Sequence, residues 1–71
     1  MNKAIQIKLA KRIRSLREEH GLTQERLAEI SGVDYKHVQL LESKNPSIAK
    51  IDTIEKIAKA FKISPSKLID F

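Results

Sequence analysis

An all-α fold is what this 71-residue sequence predicts, on three observations. Its apolar residues recur at spacings of three and four, the period of a helix face and not of a strand. Two glycines and two prolines are all that interrupt a chain rich in Ile, Leu, Lys, Glu and Ala, a composition that favours helices over a sheet. Three stretches also carry the signature of a helix start, an apolar residue, a capping residue and an apolar residue one turn on: Leu22-Thr23 with Leu27, Val33-Asp34 with Val38, and Ile63-Ser64-Pro65 with Leu68. A domain of this size buries only about 60% of its unfolded surface. There is no cysteine to staple it, and the two isolated histidines do not form a zinc site. One domain over residues 1–71 is expected, stabilised by packed helices and by dimerisation.

The first helix is read from Lys3 to His20. Ile5, Leu9, Ile13 and Leu16 form its packing stripe, and the opposite face is cationic. Gly21 stops it at a C′ position, with His20 as a structural cap near the negative helix end. Residues 24–43, QERLAEISGVDYKHVQLLES, then read as two short helices joined by a tight turn. Leu27, Ala28, Val33, Val38 and Leu41 face inward, and Gly32 stands where the chain reverses and a positive φ is useful. Gln24, Tyr35, Lys36, His37 and Gln39 face outward. A helix-turn-helix is the economical reading, its second helix turned toward the DNA major groove. Pairs of amphipathic helices joined at glycine also occur in bundles that never meet nucleic acid, so the pattern alone leaves both open.

Beyond the loop at Ser43-Lys44-Asn45-Pro46-Ser47, Ile51, Ile54, Ile57, Ala58 and Phe61 mark a helix from Asp52 to Lys62 that closes the core. A fifth helix is expected over 64–70. Ile63, Leu68, Ile69 and Phe71 exceed what so small a core can hold, and part of this segment is expected at a surface.

The formal charge is +5 and the pI about 9.8, which suits a polyanionic partner. The charge is uneven: residues 1–20 hold six Lys/Arg against two acids, residues 21–45 three against four, and residues 46–71 five against three. The proposed reading unit is therefore not basic, and flanking cations have to supply much of the phosphate attraction. No apolar run approaches the roughly 20 residues of a membrane span, and no signal-peptide core opens the chain; a cytoplasmic protein is expected. No paired carboxylates, nucleophile with base, metal cluster or glycine-rich phosphate loop occurs at a useful spacing. Neither enzyme chemistry nor a cofactor is expected.

From about Leu9 to Leu68 the chain resembles the phage-repressor and Cro-like (XRE-type) helix-turn-helix family of transcriptional regulators. The resemblance rests on Gly21-Leu22-Thr23-Gln24-Glu25 with Leu27-Ala28, on Gly32-Val33, and on Val38, Leu41 and Glu42, with Arg17 upstream and Ile54, Ile57, Ala58 and Phe61 downstream. It implies a compact five-helix, lambda-repressor-like domain that binds double-stranded DNA and represses transcription as a homodimer on a palindromic operator, its recognition helices about 34 Å apart. No membrane or small-molecule partner is expected. Tyr35, Lys36, His37, Gln39 and Leu40 would face bases, Lys36 suiting guanine and Gln39 adenine. Thr23, Gln24, Ser43, Lys44, Asn45 and Ser47 would meet phosphates. Arg17 and Glu42 would form a partly buried salt bridge, and Ile63, Leu68, Ile69 and Phe71 a dimer contact. The chain departs from the family at Arg26, where an acid is common, at Lys44, where glycine is usual, and at Leu40, where polar residues prevail. The near-neutral reading unit and Leu40 also fit a rival reading, a protein-interaction module such as an antitoxin or antirepressor with incidental DNA affinity.

Overall fold

Local capping chemistry sets where the helices begin. The structure, a computed structural model, describes residues 3–71 and contains α1 (Ala4–Glu19), α2 (Gln24–Ser31), α3 (Tyr35–Leu41), α4 (Ile51–Ala60) and α5 (Pro65–Leu68). Thr23 Oγ1 accepts from the Arg26 N–H at 3.0 Å to open α2, Asp34 accepts from the Lys36 N–H at 3.2 Å to open α3, and Ser64 accepts from the Lys67 N–H at 3.2 Å ahead of Pro65. Each satisfies a donor that the first turn leaves without an intrahelical partner.

The helix ends use left-handed residues. Gly32 closes α2 at φ 76° with its N–H on the Ala28 carbonyl at 3.0 Å, which reverses the chain between the two helices. After α1, Gly21 takes φ 65°, and the Leu22 and Gly21 N–H groups return to the carbonyls of Arg17 and Glu18, each at 3.0 Å. The end of α4 repeats this hydrogen-bond pattern: the N–H of Ile63 meets the Ala58 carbonyl and that of Lys62 the Lys59 carbonyl, each at 3.0 Å. Here the left-handed residue is Lys62, at φ 60°. It is the one non-glycine with positive φ among the described residues.

Every helix contributes to one core. Ile13, Leu27, Val38, Leu41, Ile57, Phe61 and Leu68 are each 2% exposed or less, and burial of a side chain of this kind contributes about 1.5–3 kcal/mol. Helix α2 packs on α3 and α4, α4 on α5, and α1 against α3. The His20 ring lies 5.2 Å from that of Phe61, with Nδ1 2.8 Å from the Leu16 carbonyl oxygen. This is an all-α, five-helix fold of the lambda-repressor-like class, with α2 and α3 as its helix-turn-helix.

Three expectations need correction. Ile5 and Ile51, assigned to packing stripes, are 66% and 87% exposed. Both stand in the first turns of their helices, where side chains tilt toward the N-terminus and overhang the core instead of entering it. Leu68, assigned to a dimer contact, is fully buried in the protomer core and has no surface to offer a second copy. Finally, α5 ends at Leu68 and does not run on to residue 70. The Lys67 carbonyl, which another turn would pair with residue 71, accepts instead from Arg12 Nη2 at 3.0 Å and from the Asp70 N–H at 3.3 Å.

Candidate nucleic-acid interface

Two buried side chains, Val38 and Leu41, hold α3 to the core, and this anchoring decides what the rest of the helix shows to solvent. Tyr35, Lys36, Gln39 and Leu40 are exposed and His37 is half-buried. Gln39 Nε2 donates to Tyr35 Oη at 3.2 Å, one turn apart, so these two side chains are held as a unit. Leu40, at 45% exposure, is an outward side chain and not a core residue.

Glu42 caps the end of α3 and ties the unit to α1. Its carboxylate accepts from Arg17 Nε at 2.9 Å and Nη2 at 3.1 Å, a bidentate pair, and from Gln24 Nε2 at 3.2 Å. Arg17 Nη1 also donates to the Leu22 carbonyl at 2.8 Å. The side chains are 13% and 2% exposed, so both charges are largely removed from water and both are hydrogen-bonded, the condition under which such a pair is tolerated. Its effect is to lock α1, the start of α2 and the end of α3 in one geometry.

The residues assigned to phosphates fall into two sets. Thr23 and Gln24 stand at the positive end of α2 beside a polar cleft of about 430 Å³ that also receives Arg14, Arg17 and Tyr35. The bond to Glu42 uses one amide hydrogen of Gln24 and leaves the second for an acceptor in the cleft. Ser43, Lys44, Asn45 and Ser47 follow α3 in a loop folded back on the Leu40 carbonyl, which accepts from the Ser43 N–H at 3.4 Å, Ser43 Oγ at 2.8 Å and the Ser47 N–H at 3.4 Å. Lys44 and Asn45 are exposed and Ser43 is half-buried, while Asn45 Oδ1 accepts from Lys3 Nζ. Ser47 is a correction. Its hydroxyl is buried without a hydrogen-bond partner among the described residues, turned inward and away from any phosphate. The other departures are accommodated: Lys44 needs no positive φ, and Arg26 pairs with Glu29 one turn on.

The sequence reading missed two groups. Lys11 and Arg14 of α1 line a cavity of about 270 Å³ with Ser43 and Lys44. They had been read only as part of a general cationic face, because periodicity does not say which loop lies beside it. Ile5 and Ile48 join Ile69 and Phe71 around an apolar cleft of about 360 Å³. Ile48 carried a signal, an apolar residue in a loop with no helical stripe to belong to. Among the described residues no cluster of His, Cys, Asp or Glu can hold a metal ion, and no helix is long and apolar enough to cross a membrane.

The fold and this outward helix face define a helix-turn-helix protein: residues 13–68 match the helix-turn-helix family, and the chain belongs to it. It is similar to the restriction-modification controller protein C.AhdI from Aeromonas hydrophila, in its high-resolution crystal structure, at 36% identity and a TM-score of 0.79 over 89% of this chain and 94% of that one. No curated protein matches.

Proposed function

We propose that this chain is a cytoplasmic, sequence-specific DNA-binding transcriptional regulator of the XRE type, a repressor that occupies a palindromic operator as a homodimer. The observation that carries the reading is the division of α3, with Val38 and Leu41 buried and Tyr35, Lys36, Gln39 and Leu40 exposed. Such a helix can enter a major groove without disturbing its own core. Likeness to C.AhdI across nearly the whole of both chains favours a restriction-modification controller over a phage repressor or an antitoxin. Dimerisation is supported by the exposed apolar residues Ile5, Ile48, Ile69 and Phe71 around one cleft, a grouping that marks interaction surfaces more often than plain solvent-facing ones.

The test is selection from a pool of random duplexes at physiological salt, followed by sequencing of what is retained. A palindrome with half-sites about one helical turn apart is the expected result. Retention without a consensus would reduce DNA binding to bulk charge and put the protein-interaction module in its place.

A further inference from the structure

The near-neutral reading unit poses a question of charge, and the flank of α1 answers it. Lys11 and Arg14, on adjacent turns of α1, border the same cavity as Lys44 and Ser43 beyond the end of α3. Arg14 also borders the cleft that holds Thr23, Gln24 and Tyr35, so this cationic site adjoins the starts of α2 and α3. The carboxylate facing the cavity, Glu42, is 2% exposed and already neutralised by Arg17, and so offers little to repel an anion. Arg14 has one acidic partner here, Glu18 at 3.8 Å, with both side chains more than 60% exposed. A pair that open and that long is readily exchanged for a better acceptor, and the guanidinium fork matches phosphate geometry.

We propose that Lys11, Arg14 and Lys44 together hold a DNA backbone phosphate outside the helix-turn-helix, flanking the bases that α3 reads. This deepens the DNA-binding reading and rests on it. Because the contact is to backbone alone, it adds affinity and fixes the angle of α1 on the duplex without choosing a sequence.

The test compares wild type with the Lys11→Ala/Arg14→Ala double variant on the duplex recovered by selection, across a salt series. Lys67→Ala is the control. Lys67 lies on α5 beside Arg12, on the side of α1 away from Arg14. The double variant, folded by circular dichroism, should lower the slope of log K against log salt by about 0.9, one phosphate released, and keep the wild-type sequence preference. Lys67→Ala should leave the slope unchanged. A single methylphosphonate linkage scanned along the flank should weaken the wild type at one position and leave the double variant indifferent there. A folded double variant with the wild-type slope, a control that loses as much, or an altered consensus would overturn the assignment. A wild type that selects no sequence would defeat the underlying reading, a result visible before any variant is made.

Discussion

Arg17 and Glu42 are not equivalent halves of their ion pair. With Arg17 removed, Glu42 keeps only the Gln24 amide and stays almost wholly buried. With Glu42 removed, Arg17 keeps the Leu22 carbonyl and some access to water. Stranding one partner of such a pair costs about 3–5 kcal/mol, a large part of the about 5–15 kcal/mol that holds a domain together. Thermal or urea unfolding should place Arg17→Ala near the upper end of that range and Glu42→Ala near the lower. Equal stability of both variants with the parent would remove the pair from the account. The double change Arg17→Met/Glu42→Leu should recover most of the loss, since it leaves no unpaired charge. The pair was legible because Arg17 flanks an inward stripe and Glu42 follows Leu41. The Gln24 contribution was not, since an amide at a helix start points as well to solvent as to a neighbouring carboxylate.

At the scale of the element, starts were more legible than ends. Thr23, Asp34 and Ser64 declare helix starts through their own side chains, and each makes the bond that its residue type predicts. Ends depend on glycine, and α4 ends without one. Lys62 holds a left-handed conformation that costs an L-residue about 1–2 kcal/mol, while glycine there would lose roughly 0.5–1 kcal/mol in extra unfolded-state freedom. Lys62 is exposed, so nothing is lost with its side chain. Lys62→Gly should therefore raise stability by about 0.5–1 kcal/mol, or about 4 °C in Tm for a domain this small, in a differential scan. A lower Tm would show that the lysine makes a contact that outweighs its backbone. The short α5 was illegible for a different reason: Arg12, from the far end of the sequence, takes the carbonyls of Lys67 and Leu68 at 3.0 and 3.2 Å.

For the whole molecule, the proposed homodimer is the feature that one protomer leaves unfinished. Ile69, 48% exposed, lies at the apolar cleft and outside the core, so Ile69→Asp should abolish association while leaving the fold of the protomer intact. Sedimentation at high micromolar concentration should show a dimer for the parent and a monomer for the variant; a monomeric parent would sink the dimer. The five-helix architecture was legible from periodicity and caps, whereas the faces of Ile5, Ile51 and Leu68 were not, because a stripe says which residues share a side but not how far the opposing element extends. The split of α3 between anchored and outward residues has a consequence for descent with modification. Tyr35, Lys36, Gln39 and Leu40 bear no part of the core, so lineages can replace them at little cost in stability and drift between target sites while the scaffold stays constant. Tyr35 and Gln39, joined by a hydrogen bond, would be inherited and exchanged as a pair.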